Sequence, residues 1–395
     1  MKLIPRLKPY YSFSDWLAVV NIFQKEPIET FEREFAKKFE NDYGVMFSHG
    51  RSGMYALLKI WGLENDEIIC PAYTCVVVPN AIVLSGNIPV FVDCARDSWN
   101  MNLELLERAI TKKTRCIVAT HIFGYPMDVE RLNVIVKNAE ERYGHKIYVI
   151  QDVAHSFGAK YKDKMVTTYG DASIFGMNIS KIMNSIFGGM VITNDKQISE
   201  QLRKWREKHT KKKGFSKEWK RFFYFIAVNF AFNSYVYGFV NWLERKGFLD
   251  RFVKYYEEDK IFFPNDWDEY PAKIEARVGL NQLKKYDYIV KNKIENAKKW
   301  MEILKNDEEI RFFDDIDGAT YSHCAGRVKN REKFLELYRE KGIQLGTLIE
   351  YSIPYMKAYT KYKKGEFPIS LEYSKHSINF PNWVGVKYEN IIVSR

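Results

Sequence analysis

The sequence lacks the cysteine pattern of a disulfide-stabilised protein and the leader of a secreted one. Its five cysteines are an odd number, and no CxxC pair occurs among them. Free thiols fit a reducing compartment better than a disulfide framework, so a cytoplasmic location is predicted. The start of the chain, residues 1–6, is basic, but it lacks a continuous apolar run and a small-residue cleavage site. We therefore expect no signal peptide.

Acidic residues are also in short supply. The chain has 61 lysines and arginines against 50 aspartates and glutamates, which gives a formal net charge of +11. Much of the excess lies within residues 211–221, where six positions are basic. Basicity alone does not identify a partner, and neither a zinc-binding spacing nor an RNA-binding signature accompanies it. The sequence therefore predicts no nucleic-acid binding and no metal site.

Apolar residues, by contrast, are plentiful. With 395 residues, 46% of them hydrophobic, the chain can bury a large core, most simply in two domains of which one is dominant. Between about residues 45 and 195, short apolar segments alternate with helical patterns, which predicts an α/β fold with a mostly parallel sheet flanked by helices. The predicted strands are 67–70, 89–93, 115–121, 147–152, 173–176 and 189–193. Ligands of such sheets bind beyond the carboxyl ends of the strands.

The second half of the chain follows a different pattern. Basic and aromatic residues fill an insert at about 211–260, and residues 272–304 then have the pattern of one long amphipathic helix or two. Strands and a helix are mixed in the remainder. We therefore predict a large domain over residues 1–260, which includes the insert, and a smaller α+β domain over residues 261–395.

Two of the predicted strands end next to residues suited to a cofactor. Asp152 ends one strand, and Lys181 follows another. A pyridoxal phosphate (PLP) site needs a lysine that forms a Schiff base with the aldehyde and a carboxylate that keeps the pyridine nitrogen protonated. Singly, each residue has an ordinary alternative, a surface lysine and a carboxylate that caps a helix or turn. Their combination in one α/β frame favours a PLP site.

Three further segments can complete such a site. A turn into a helix carries Gly50, Arg51 and Ser52, which can offer N–H groups, a charge and a hydroxyl to a phosphate, unless Ser52 is an ordinary helix cap. Tyr73 can stack on a planar ring, or it can be a core tyrosine with a satisfied hydroxyl. His155 can reach the ring oxygen of the cofactor or simply pack, and its spacing does not decide between these.

When these segments are taken together, the sequence resembles the DegT/DnrJ/EryC1/StrS family of sugar aminotransferases, which are fold-type I PLP enzymes. The resemblance covers roughly residues 30–210 and 265–390 and leaves the insert outside. The matching motifs are 71–75, 89–93, 120–124, 151–159, 175–181 with the glycines at 188–189, 282–283, 342–343 and 365–368. It implies that Lys181 is the Schiff-base lysine and that Asp152 pairs with the pyridine nitrogen. It also implies that His155 lies beside the ring hydroxyl and that residues 50–52 form the phosphate loop.

The chain departs from the family pattern at three positions. Cys75 stands where the family has an aromatic residue that stacks on the cofactor ring, so Tyr73 must stack instead or the stacking is lost. Gly176 stands where the family has a phosphate-contacting serine. Asp268 is nearest to the asparagine that a neighbouring subunit often lends to the phosphate, and a carboxylate would repel that group.

The resemblance also implies an activity. It predicts a PLP-dependent aminotransferase that moves an amino group from an amino acid, glutamate in most relatives, to a nucleotide-linked keto-sugar for polysaccharide or glycan biosynthesis. A homodimer is implied as well. One alternative is a sugar dehydratase, but dehydratases of the family carry histidine in place of Lys181. The other is a sensor that binds PLP or a sugar nucleotide without turnover. The presence of both Lys181 and Asp152 argues against the sensor.

The insert allows two interpretations. If residues 222–243 are helical, polar residues recur at four-residue intervals on one side: Asn229, Asn233, Tyr237 and Asn241. The remaining face is aromatic, which is typical of a helix that lies in a membrane interface. Residues 215–243 can therefore contact a membrane. If they do, a lipid-linked sugar becomes a plausible acceptor. The polar interruptions of this segment argue against a membrane span. The interpretation that we favour from the sequence is a helical hairpin buried against the small domain or a dimer partner.

Overall fold

The structure, a computed structural model, describes residues 3–248 and 256–386 of the chain. Its strands are β1 (Tyr43–Phe47), β2 (Glu67–Pro71), β3 (Ile88–Val92), β4 (Thr114–Thr120), β5 (Tyr148–Asp152), β6 (Lys160–Tyr161), β7 (Lys164–Met165), β8 (Ala172–Gly176), β9 (Gly189–Thr193), β10 (Ile310–Arg311), β11 (Cys324–Val328), β12 (Gly346–Thr347) and β13 (Ser377–Phe380). Its α-helices are α1 (Phe13–Val20), α2 (Pro27–Lys38), α3 (Gly50–Ile60), α4 (Val77–Leu84), α5 (Leu103–Ala109), α6 (Val129–Tyr143), α7 (Lys196–His209), α8 (Phe215–Ala231), α9 (Tyr237–Arg245), α10 (Lys273–Leu304), α11 (Arg331–Glu340) and α12 (Pro368–His376).

A seven-stranded sheet with the order β1-β9-β8-β5-β4-β2-β3 forms the centre of the molecule. Only β9 runs antiparallel to both of its neighbours, and the pairs from β8 to β3 are parallel. The register places Thr120 of β4 opposite Asp152 of β5, and Asp152 opposite Ile174 of β8. The predicted mostly parallel sheet is therefore confirmed, and the carboxyl ends of three neighbouring strands lie together.

The helices cover this sheet because their sequences combine apolar faces with capped ends. In α6, Leu132, Ile135, Val136 and Ala139 are buried at helical spacing. The Asp128 side chain accepts a hydrogen bond from the Arg131 N–H at the start of that helix. Gly144 ends it in the left-handed region, with φ of 70°, which suits a residue without a Cβ.

A second sheet, with the order β10-β11-β13-β12, is antiparallel throughout and lies in the C-terminal part of the chain. The 32-residue helix α10 connects it to the rest. Near its start, Gly279 lets the helix approach α2 closely, since a Cβ at this position would lie 2.4 Å from the Phe31 ring. Near its end, Trp300 packs on Phe380 of the second sheet, with ring centroids 4.7 Å apart. Because α10 packs on α2 near one end and on the second sheet near the other, the domain boundary near residue 260 stays a prediction.

The described part of the insert forms two helices, α8 and α9, separated by residues 232–236; residues 249–255 lie outside the described residues. Tyr237 and Asn241 are buried, and the Tyr237 hydroxyl bonds to Gln344 of the C-terminal part. The polar side of α9 therefore faces the protein, as expected for a packed hairpin. On α8, Phe225 is buried, whereas Phe215, Trp219, Phe223 and Phe230 are exposed. Within residues 3–248 and 256–386, none of the helices has the length and apolarity needed to cross a membrane.

Candidate active site

Lys181 lies in the loop between β8 and β9, beyond the carboxyl end of β8. The side chain and carbonyl of Asn178 accept hydrogen bonds from the Ser180 and Lys181 N–H groups, which fixes the turn. Gly176, the last residue of β8, is close to the lysine, since a Cβ built on it would lie 3.8 Å from Lys181 Cε. The loop thus directs the lysine back across the end of its own strand.

Asp152 ends the neighbouring strand β5 and is buried. Its carboxylate accepts hydrogen bonds from the Ala154 N–H at 3.1 Å and from the Thr120 hydroxyl at 3.4 Å. Burial raises the pKa of Asp152, while the Ala154 N–H and the charge of Lys181 oppose that rise. Burial lowers the pKa of Lys181, an effect that Arg51 reinforces and that Cys75 and Asp152 oppose. The structure therefore brings four predicted site residues into one electrostatic environment: Arg51, Cys75, Asp152 and Lys181.

His155 lies beside this pair. Its ring stacks on Phe123, with centroids 5.6 Å apart and an interplanar angle of 16°. Burial lowers the pKa of His155 well below its usual value, with further contributions from Lys181 and His323, so the ring is neutral. Its Nδ1 is buried without a hydrogen-bond partner in the described part of the chain. A buried orphan nitrogen of this kind is rare and indicates a missing partner such as a ligand.

Phe123 and His323 are site residues that the sequence analysis does not identify. Phe123 belongs to the motif at 120–124 and has a positive φ of 57°, but nothing in the motif separates it from its buried neighbours. His323 precedes β11, and its ring centroid lies 5.0 Å from that of His155. It comes from a segment that matches no motif, so no local signal reports it.

The predicted phosphate loop lies against the ends of β8 and β9. Helix α3 begins at Gly50, where a Cβ would lie 2.7 Å from the Phe175 carbonyl oxygen. A Cβ on Gly189 would lie 2.2 Å from the Gly50 nitrogen, so both glycines are required for this close packing. The cap residue is His49, not Ser52, which stands in the first turn and donates its hydroxyl to the Trp267 carbonyl at 2.7 Å.

Tyr73 lies in the core and not beside Lys181. Its ring packs against Trp99, Phe123 and Tyr373, and its hydroxyl bonds to Ser377 Oγ at 2.9 Å. Such a partner satisfies the hydroxyl and fixes the ring between the two sheets. This corrects the expectation that Tyr73 stacks on the cofactor and supports the alternative of a core tyrosine. Cys75, two residues on, occupies the position beside the lysine.

A charged network surrounds the phosphate loop. His49 Nε2 lies 2.8 Å from a carboxylate oxygen of Asp266, and the Arg221 guanidinium pairs with both Asp266 and Glu275. Burial acts to raise the pKa of Asp266, but the hydrogen bonds from His49 and Arg221 outweigh it and hold that pKa below its usual value. The Asp268 carboxylate pairs with Lys211 at 2.7 Å. The acidic residues near the loop are thus matched by cations.

A cleft opens on the side of Lys181 that faces the C-terminal part. Polar side chains line it together with the N-terminal arm: Arg6, Lys8, Ser180, Lys181, Lys293, Ser322, His323, Asn379 and Asn382. Lys293 donates to the Ser322 carbonyl at 3.1 Å and to Asn382 Oδ1 at 3.3 Å. Asn379 Oδ1 is buried with no donor within hydrogen-bond distance among residues 3–248 and 256–386. The cleft can therefore accept a ligand with hydroxyl donors and a negative charge.

Comparisons with known proteins agree with this geometry. The profile of the DegT/DnrJ/EryC1/StrS aminotransferase family matches residues 16–235 and 272–394. GDP-perosamine synthase of Escherichia coli O157:H7 is 38% identical over 175 residues, which are 44% of this chain and 46%, less than half, of that protein. GDP-perosamine synthase of Vibrio cholerae is 24% identical over 374 residues, 91% of this chain and 86% of that protein. The crystal structure of sugar aminotransferase CalS13 from Micromonospora echinospora superposes with a TM-score of 0.78 at 19% identity, over 98% of this chain and 97% of that one.

Proposed function

The chain belongs to the DegT/DnrJ/EryC1/StrS aminotransferase family, and we propose that it moves an amino group from glutamate to a nucleotide-linked keto-sugar with PLP as cofactor. The observation that carries this proposal is the pairing of the partly buried Lys181 with the buried Asp152, each of which shifts the pKa of the other. Relatives named GDP-perosamine synthase and a structural neighbour named sugar aminotransferase support a sugar as the amino acceptor.

The residues present fit PLP. The orphan Nδ1 of His155 suits the ring hydroxyl, and the Asp152 carboxylate suits a protonated pyridine nitrogen. The first turn of α3, where Gly50 and Arg51 stand, offers backbone N–H groups and a positive helix end to the phosphate. Bound there, PLP supplies an electron sink for the carbanion that forms on the substrate.

Lys181 has the properties of the base that transamination requires. A lowered pKa increases the neutral fraction of its amine, and a neutral amine can take a proton from one carbon and return it to another. The loop that holds Lys181 leaves its side chain partly buried, so bulk water has limited access to the amine. Asp152 stays in place through its own hydrogen bonds and does not need to move during the reaction.

The cleft supports an anionic sugar substrate. Lys293 and Lys8 provide cationic groups, and the amides of Asn379 and Asn382 provide hydrogen-bonding groups. A nucleotide-linked sugar combines phosphate charge with sugar hydroxyls, so it matches both kinds of group. The carboxylates of glutamate match the same cations, which is consistent with donor and acceptor using one site in turn.

The proposal is tested with the PLP-loaded protein. Adding glutamate should convert the absorbance of bound PLP to that of the pyridoxamine form, and a nucleotide-linked keto-sugar should reverse it. Lys181→Ala should lower turnover by at least about a hundredfold, since a general base contributes roughly 10²–10⁴ in rate. Borohydride should attach the cofactor to the peptide that contains Lys181 and to no other.

Lys137→Ala, which removes an exposed lysine of α6, is the matched control and should behave like the parent protein. Full turnover in Lys181→Ala would refute the proposed role of the lysine. A protein that binds PLP and nucleotide sugars but shows no spectral change with glutamate would instead be a sensor.

A homodimer and a cytoplasmic location remain part of this proposal, because the family resemblance implies the first and the free thiols favour the second. Sedimentation of the purified protein tests the assembly, with a mass of twice 46.7 kDa as the expected result.

A further inference from the structure

Helix α8 turns aromatic side chains outward. Phe215, Trp219, Phe223 and Phe230 are each between 57% and 84% exposed. At about 100° per residue, these four positions fall within an arc of about 80°. The helix therefore presents a continuous apolar stripe to its surroundings, whereas surface helices of soluble proteins direct such a stripe to the core.

The opposite side of α8 attaches the helix to the protein and contains several polar anchors. Lys217 is buried and donates to the Tyr270 carbonyl at 2.8 Å. Glu218 accepts hydrogen bonds from the Lys273 and Ile274 N–H groups at the start of α10, at 2.6 and 3.0 Å. Arg221 pairs with Asp266 and Glu275. Phe225 and Val228 are buried on this same side. Polar and apolar contacts thus hold α8 on the protein from one side, and the four outward rings are not needed to hold it in place.

Helix α1 extends this apolar surface. It lies beside α8, since the Trp16 and Phe225 rings are 4.8 Å apart. Its residues Phe13, Leu17 and Val20 are all more than half exposed. They stand three and four residues apart, so they share one face of the helix. Two neighbouring helices therefore carry exposed apolar faces, and contiguous faces of this kind mark interaction sites.

The charges around α8 identify the kind of partner. Residues 211–248 contain eight lysines and arginines but only two acidic residues, Glu218 and Glu244. Both glutamates bond to the protein, Glu218 to α10 and Glu244 to Arg6. Lys213 and Lys220, in contrast, are exposed. A surface with exposed rings and flanking cations has the composition of an interfacial membrane helix.

We propose that α8, together with α1, docks on an anionic lipid surface with its aromatic stripe in the headgroup region. A second copy of the chain is a poorer partner for this face, because a two-fold contact would place the same cations opposite one another. A neutral bilayer would bind the rings but would leave the lysines without counter-charges.

Flotation of the full-length protein with vesicles tests the docking. The parent protein should float with vesicles of phosphatidylglycerol and phosphatidylcholine at low salt and much less with phosphatidylcholine alone. Substitution of three outward rings, Trp219→Ser with Phe223→Ser and Phe230→Ser, should lower the bound fraction at least about tenfold. Lys213→Glu with Lys220→Glu should lower binding to the anionic vesicles, by roughly fivefold for each lysine removed.

The matched control is Val134→Ser with Leu337→Ser, which removes exposed apolar side chains from α6 and α11 and should leave flotation unchanged. Circular dichroism of each variant verifies that it folds. Failure of the parent protein to float with anionic vesicles would overturn the proposal. The proposal would also be overturned if the triple ring variant floated like the parent protein. The same holds if that variant kept its flotation and lost only its self-association, as measured by sedimentation.

Discussion

At Gly176, the structure shows whether there is room for the side chain that the family pattern has at this position. Gly176 stands where relatives have a phosphate-contacting serine. A Cβ at Gly176 would lie 3.8 Å from Ala154 Cβ and 3.8 Å from Lys181 Cε, which are ordinary van der Waals distances. Its backbone nitrogen is adjacent to Gly50, at the start of the phosphate loop. The structure therefore has room for the side chain that the sequence lacks.

We predict that Gly176→Ser strengthens PLP binding. The added hydroxyl would lie between Lys181 and the phosphate loop and could donate a charge-assisted hydrogen bond, worth about 1.5–3 kcal/mol. Equilibrium dialysis of PLP should then give a Kd lower by roughly tenfold. Gly176→Ala, which adds the carbon without the hydroxyl, is the control. Equal affinity in the serine and alanine variants would contradict the prediction.

The residues of the site differ in how far the sequence predicts them. Lys181, Asp152 and His155 follow strand ends within recognisable motifs, and the structure places all three together. The sequence leaves Tyr73 open between a stacking residue and a core tyrosine, because its partner, Ser377, lies 304 residues away in the chain. His323 was missed for the same physical reason. A contact made between distant segments leaves no pattern in the local sequence.

At the level of elements, apolar continuity predicts where the central strands lie. Strands β2, β5 and β8 match predicted segments because they are buried on both faces, which requires unbroken apolar runs. The direction of β9 is not predictable in this way, since an antiparallel buried strand has the same composition. The four residues of β13 lie in a proline-containing tail, and their strand character comes from pairing with β11 and β12.

Arg221 connects three elements. It projects from α8, pairs with Glu275 of α10 and with Asp266, and lies over the Phe187 ring with its guanidinium carbon 4.2 Å from the centroid. Phe187 belongs to the loop that carries Lys181. Through Arg221, the insert therefore supports both the phosphate loop, by way of Asp266 and His49, and the lysine loop.

We predict that Arg221→Met lowers the free energy of unfolding by about 3–5 kcal/mol, because it leaves the fully buried Glu275 carboxylate without its cation. Urea denaturation measures the change. Adding Glu275→Gln should restore part of the lost stability, since the unpaired charge is then absent. Lys220→Met, at the exposed neighbouring position, should change stability by no more than about 0.5 kcal/mol. If Arg221→Met and Lys220→Met lowered the free energy of unfolding equally, the proposed role of Arg221 in connecting the three elements would be ruled out.

For the whole molecule, the insert shows what composition can and cannot predict. Its aromatic and basic content is visible in the sequence, as is the four-residue spacing of Asn229, Asn233, Tyr237 and Asn241. Which face is turned inward depends on partners outside the segment, such as Gln344 for Tyr237. Those partners place the polar side of α9 inward, and on α8 the contacts of Lys217, Glu218 and Arg221 leave the stripe of Phe215, Trp219, Phe223 and Phe230 exposed.

The cleft likewise depends on the arrangement of both parts of the chain, because Lys181 comes from the large sheet and Lys293 from α10. Burial lowers the pKa of Lys293 to about 8, with Cys324 opposing the shift. Below that pH the ammonium is charged and would attract the phosphate of the proposed nucleotide-linked substrate, and above it the neutral amine would not. Binding of the nucleotide should therefore weaken as the pH rises through about 8.

We predict that Lys293→Gln raises the Kd for GDP roughly tenfold at pH 7 and removes its dependence on pH between about 7 and 9. Calorimetric titration of the PLP-loaded protein with GDP measures binding alone. The proton transfers that Lys181 would carry out during turnover therefore do not contribute to the measured pH dependence. Lys291→Gln removes an exposed lysine from the same helix and should leave both affinity and pH profile unchanged. If Lys293→Gln kept the pH profile of the parent, the titrating cation would have to be another residue of the cleft, and Lys8, whose pKa burial also lowers, would be the next to replace.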